Sequence, residues 1–214
     1  MRIPAIALAV GLAATAPALG AITSYNRAGF ATATAASTVI TQGFDGFAAG
    51  TILLTDGFVS YSASAGTPVI SNLFLFTTSP NSLASTKPQG NPFFLPNETA
   101  TFTFAAPITA FAIDINTFAT AAGAYTATLD IGDVVNSVFD PFPNFPLFGT
   151  GQFIGFISTI PFTSVTIAHT GNESYTLDTL RYVKAATQVP EPASLALLGM
   201  GLLGLGFAAR RRAA

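Results

Sequence analysis

The chain has 214 residues and a formal net charge of −2, and only 8% of its residues are charged, against roughly a quarter in an ordinary globular domain. Cysteine is absent, which excludes disulfide-stapled scaffolds, thiolate metal sites, iron-sulfur clusters and Cys nucleophiles. Between Ala21 and Gln188 four basic residues face nine acidic ones, a net of −5 with no basic stripe, and this argues against nucleic acid and anionic lipid as partners because phosphate binding needs clustered Lys and Arg.

The chain opens with Met1-Arg2, an apolar run from Ile3 to Leu12 and small residues through Ala13, Ala14, Ala16 and Ala18 to Gly20 and Ala21. This order reads as a secretory signal peptide over 1–20. Pro4 and Pro17 disfavour one continuous structural helix there. Cleavage is expected between Ala18 and Ala21.

Residues 21–186 form the expected folded body, one domain with room for a core. Twenty Phe and many Thr, Ser, Ala and Gly favour strands, where aromatic and β-branched side chains suit a pleated, half-buried surface. After a weakly patterned lead with a short helix near Ala28 to Ala35, short apolar runs alternate with turn residues about every ten positions, the signature of an antiparallel β-sandwich or barrel. Strands are expected near Val39–Phe44, Thr51–Leu54, Phe58–Ser62, Val69–Phe76, Ala100–Phe104, Ile108–Asn116, Ala124–Ile131, Phe153–Ser158, Ser164–His169 and Tyr175–Val183. Strict alternation places Phe102, Phe104, Phe111, Ile113, Ile115, Val165 and Ile167 toward the core. Ser79-Pro80-Asn81, Lys87 to Pro92 and Pro141 to Pro146 are loops, since Pro cannot donate to a central ladder.

The C-terminal stretch has a different grammar. Val189-Pro190-Glu191-Pro192, within a linker over 187–192, leads into an uncharged run from Ala193 to Ala209, and Arg210-Arg211-Arg212 follow in a basic tail over 210–214. As a helix the run would reach about 26 Å, a little short of the hydrocarbon core of a bilayer, so a transmembrane helix is expected over 193–209. Arg210, Arg211 and Arg212 would hold its end on the cytoplasmic side, leaving the body outside. Gly199-Met200-Gly201-Leu202-Leu203-Gly204 fits the dinucleotide fingerprint only in letters, because no strand precedes it and no βαβ unit follows.

The order of triplet, span and basic end resembles the PEP-CTERM sorting signal of Gram-negative bacteria. The resemblance covers about 25 residues and implies processing at or near Pro190-Glu191-Pro192 by a membrane-embedded exosortase. The body is also similar, in looser patterns, to the β-sandwich ectodomains found before such tails. The matching stretches are Gly43-Phe44-Asp45-Gly46-Phe47, Asn97 to Phe104 before Pro107 to Phe111, Phe153-Ile154-Gly155-Phe156 and Tyr175 to Tyr182. The expected fold is therefore mainly β, an antiparallel jelly-roll-like sandwich flanked by a signal-peptide helix and a transmembrane helix.

Catalytic chemistry is sparse. His169 is the single histidine, no G-x-S-x-G elbow accompanies it, and its place at the end of an alternating strand makes a strand-edge residue the better reading than a triad member. A zinc site would need several His or Cys ligands. Asp130 and Asp133 flank a Gly in a polar turn, and with Asp45 and Asp178 they are the acids that would serve a structural calcium, a hard cation taking several oxygen ligands. Asn97-Glu98-Thr99 and Asn172-Glu173-Ser174 match the glycosylation sequon and are expected to be silent. Thr32-Ala33-Thr34, Thr101-Phe102-Thr103 and Thr126-Ala127-Thr128 are Thr-x-Thr pieces of the kind that ice-binding surfaces repeat, but without a fixed period strand propensity accounts for them.

These residues lead to an exported, non-enzymatic protein of the cell surface or extracellular matrix with a structural or adhesive body. No catalytic residue and no cofactor is assigned. Its expected partners are an exosortase, the inner membrane through the C-terminal helix, and exopolysaccharide. A carbohydrate-binding module or glycan hydrolase is the alternative, which a cleft with two facing acids would favour. An ice-binding surface is the third reading.

Overall fold

The structure, a computed structural model, describes residues 21–72, 77–78, 80–88, 90, 92–141, 151–169 and 171–186. The expected signal peptide, the rest of the strand reaching Phe76, the Phe-Pro loop after Pro141, the Pro-Glu-Pro triplet, the span and the arginine cluster lie outside the described residues. The chain divides into units Met1–Lys184 and Ala185–Ala214, and the elements below belong to the first.

In chain order these are β1 (Ile22–Ser24), α1 (Arg27–Ala33), β2 (Ile40–Gln42), β3 (Val59–Ala63), β4 (Pro68–Ser71), β5 (Ser82–Ser85), β6 (Thr99–Asn116), β7 (Tyr125–Leu129), β8 (Val134–Asn136), β9 (Val138–Phe139), β10 (Gln152–His169) and β11 (Thr176–Lys184). The strands pair antiparallel in one eleven-stranded sheet among the described residues. Mainly β and antiparallel are as the sequence predicts. No helix among the described residues is long and apolar enough to cross a membrane.

β6 and β10 carry the fold. Each is 18 residues long where the sequence predicts two separate strands. Pro107 and Pro161, which fall in the gaps between the expected strands, lie within the continuous strands instead. Both prolines lie where the β6–β10 ladder changes register, between the Ile157–Ala110 and Ser164–Thr103 pairs. A proline without an N–H is tolerated at such irregularities because no ladder bond is demanded of it.

The first half of β6 pairs with β3 on one side and the second half of β10 on the other, and β7 and β8 follow. The second half of β6 pairs with the first half of β10 and with β11; β1 and β9 share the far edge of β10, and β2 and β5 that of β11. Thr51–Leu54, predicted as a strand, makes an isolated bridge from Ile52 to Val69 instead, leaving Ile52 and Leu54 about half exposed.

Alternation then builds the core. Phe102, Phe104, Phe111, Ile113, Ile115, Val165 and Ile167 are buried in one cluster, as predicted. The Phe111 ring stands edge-on to Phe102 at 5.7 Å and Phe104 at 6.3 Å and stacks on Phe156 at 5.6 Å, geometries that favour aromatic pairs beyond their burial.

The other face of the second half of β6 is covered by α1. Asn26 caps the helix by accepting the Gly29 N–H, as short polar side chains do at helix starts. Phe30, its buried residue, packs with Ala110, Ala112 and Phe153, a burial worth about 2 kcal/mol. A Cβ at Gly155 would clash with the Phe153 ring and stand 3.3 Å from Phe30, so the bare glycine makes room for Phe153 beneath the helix.

Candidate functional site

The charged centre of the described body lies under α1. Asp114 sits in the run Phe111-Ala112-Ile113-Asp114-Ile115, and by alternation it shares the outer face with Ala110 and Ala112 rather than the phenylalanine core. It is fully buried. An isolated charge there would be strongly unfavourable, and two arginines answer it. Arg27, the first residue of α1, donates from Nε to Asp114 Oδ1 at 3.0 Å, and Arg181 from β11 places Nη2 3.4 Å from Oδ2. Arg27 is itself gripped by Asp140, whose carboxylate accepts the Arg27 backbone N–H at 2.8 Å and faces Nη1 at 3.1 Å. Its guanidinium also lies 5.2 Å from the centre of the Phe153 ring.

A bulge aims Arg181. Asp178 stands opposite Asp114 and Arg181 opposite Ala112, so β11 advances three residues where β6 advances two. The extra residue is Thr179, at φ 47°, a conformation that β-branched residues avoid. Without it Arg181 would point into the core, since one residue of slip reverses every side chain beyond it. The strain is held by Asp178, whose Oδ1 accepts the Thr179 N–H at 2.6 Å and the Thr78 hydroxyl at 3.0 Å; its Oδ2 accepts the N–H groups of Thr77 and Thr78 at 2.7 Å each.

Burial pushes Asp178 up to about 6, against those donors, which favour the charged form. Burial also raises Asp114, against the pull of Arg181 and Arg27. Above the cluster a cavity of about 340 Å³ is lined by Arg27, Phe30, Ala31, Thr34, Val39 and Arg181, among others. The two arginines there are matched by Asp114 and Asp140. Chemically, the arrangement is a clamp fixing α1 to β6 and β11.

The predicted candidates fall in three places. Asp130 and Asp133 share the β7–β8 turn, where Asp130 accepts the Thr163 N–H at 3.0 Å and its hydroxyl at 2.5 Å; burial raises Asp130, but these donors outweigh it and hold the carboxyl below the usual range. Asp45 and Asp178 are brought to one neighbourhood by the segment that places Thr78 on Asp178 and Asn81 on Asp45, the Asn81 N–H meeting Oδ1 at 2.9 Å. Among the described residues no three His, Cys, Asp or Glu side chains form a group that could hold a metal ion. His169 stacks on Tyr125 with ring centres 4.3 Å apart. Among the described residues its Nδ1 has no hydrogen-bond partner, and burial lowers its pKa against the opposing effect of Glu173.

The sequence reading did not find Arg27, Asp114, Asp140 or Arg181. A signal was present: an acid inside an apolar alternating run must find a cation, and the body holds four cations in all.

The functional assignment comes from the tail. Residues 188–212 match the PEP-CTERM protein-sorting motif. The chain carries a PEP-CTERM sorting signal. Val189, Pro190, Glu191, Pro192 and the three arginines Arg210, Arg211 and Arg212 all fall inside the match. The signal implies export, transient anchoring in a membrane and processing by exosortase, a membrane protease. No curated protein matches the chain.

Proposed function

We propose that this exported PEP-CTERM protein is a non-enzymatic structural or adhesive module, delivered to the cell surface or the exopolysaccharide matrix after its tail is processed at Pro190-Glu191-Pro192. The sorting motif carries the reading. A jelly-roll-like sandwich is the architecture proposed for the body. Its support is that β3, β7 and β8 on one side and β11 on the other all send side chains into a single core around the β6–β10 ladder. Support for a non-enzymatic body is that Asp114 and Asp178, the facing pair of acids, are wholly buried and their oxygens are taken by arginine and backbone donors. A glycosidase pair must instead reach the two sides of a sugar.

The test is the mass of the mature C-terminus after expression with and without an exosortase. With the enzyme the chain should end at or near Pro190 to Pro192; without it, the arginine cluster should remain. A tail intact through Arg212 in both hosts would reduce the signal to a plain anchor.

A further inference from the structure

The Thr-x-Thr pieces that have no period along the chain acquire one across the sheet. In the half built from β3, β6, β10, β7 and β8, the outward positions of neighbouring strands come into register. Ser62 lies beside Thr101, Thr101 beside Thr166, and Thr166 beside Thr128. One row along, Ser60, Thr103 and Ser164 line up in the same way. On the other side of the central row, Thr126 and Asn136 continue the pattern. Strand spacing repeats these groups at about 4.8 Å across the sheet and about 6.7 Å along it. Thr101 and Thr166 fix each other, their hydroxyl oxygens 2.9 Å apart. The body carries a net charge of −5, yet the strand positions of this face hold no charged side chain. One carboxylate adjoins the face: Asp130, just past the end of β7, donates its N–H to the Ser164 carbonyl and so ends the Ser60–Thr103–Ser164 row, its side chain tied to Thr163.

From this we propose that the Ser/Thr face of β3–β6–β10–β7–β8 binds the ordered water of an ice surface. A rigid array of hydroxyls on strands free of charges that would hold their own hydration shells joins a water lattice without giving up hydrogen bonds. A soluble glycan would have to displace water from these same hydroxyls for bonds of equal strength. The exposed aromatic platform that favours sugars elsewhere does not stand among these strand positions. Neighbouring strands rotate by about 20°, which confines the lattice match to the central strands β6, β10 and β7. The expected effect is therefore inhibition of ice recrystallisation, with little depression of the freezing point. The inference goes beyond sorting and does not depend on it, since the C-terminal mass measurement above reads the tail alone.

The experiment is a recrystallisation assay on the full chain in mild detergent, with detergent alone as the blank. Thr103→Lys/Thr128→Lys, both at exposed positions, should need a roughly tenfold higher concentration for the same crystal size. Thr103→Ser/Thr128→Ser, which keeps the hydroxyls, and Ala35→Lys/Ser37→Lys, exposed beside α1, should both stay near the parent. Urea midpoints matched to the parent confirm that the variants fold. The proposal is overturned if the parent chain equals the blank, if the lysine face variant equals the parent, or if the parent is retained on an insoluble neutral glucan while leaving ice unaffected.

Discussion

At the scale of single residues, the molecule is governed by how few cations it has. Arg27 answers both Asp114 and Asp140, and its backbone N–H and guanidinium are both engaged. Removing one partner of a buried pair leaves the other charge uncompensated, at a cost of several kcal/mol. Because about a quarter of the Arg27 side chain is exposed, water recovers part of this, and Arg27→Ala is expected to lower unfolding stability by about 2 kcal/mol. Urea denaturation checks it, and a loss below about 0.5 kcal/mol, the level of an ordinary surface change, would mean that the clamp does not hold α1. The acid in this pair was visible in the sequence as an anomaly inside an apolar run. Its partners were not, because Arg27 and Arg181 lie 87 and 67 residues away and no local pattern relates them.

At the scale of elements, Asp178 joins β11 to the segment at Thr77–Thr78, and its titration should be visible in stability. Its folded value, about 6, lies above the ordinary value near 4, so the fold binds the proton more tightly than the unfolded chain does. The stabilisation is then complete below about pH 4 and is lost as pH rises through about 6, up to about 3 kcal/mol. Asp114, also raised, acts in the same direction. Asp56 and Asp130 are held below the usual range by hydrogen bonds that outweigh burial, so they act with the opposite sign at lower pH, and His169, lowered by burial, offsets part of the fall toward the upper end of the range. Urea midpoints taken from pH 4 to 7 should therefore fall, and Asp178→Asn should flatten most of that slope. A midpoint that rises over this range, or an unchanged slope in the variant, contradicts the account. Element boundaries show the limit of periodicity: alternation locates the inward faces of β6 and of the second half of β10 but leaves a gap in each strand, around Pro107 and around Pro161. Pro107 and Pro161 fall at register shifts, and whether a proline ends a strand or sits within it depends on whether the neighbouring strand needs an N–H at that position, which proline lacks. β5, with the sequence Ser82-Leu83-Ala84-Ser85, carries no strand signal for a related reason: it has no β-branched residue, and its partners β4 and β11 stabilise it.

At the scale of the whole molecule, the sorting signal and the folded body are separate problems. Lys and Arg at the end of a span fix its orientation through the positive-inside preference, so Arg210→Glu/Arg211→Glu/Arg212→Glu should disturb topology, read by reporter fusions on either side of the span. Unchanged topology would remove that role from the arginines. The tail could be read from sequence alone because its parts act in order along the chain: a triplet, an uncharged run and a basic end, each recognised locally. The same held for the Phe-rich inward faces, since alternation is a property of one strand. The tertiary structure alone decided the rest: the Arg27–Asp114–Arg181 clamp, the Thr179 bulge that aims Arg181, and the hydroxyl face assembled from five strands. Each of these depends on register between segments far apart in the chain, and register is fixed by how strands pair and where they bulge.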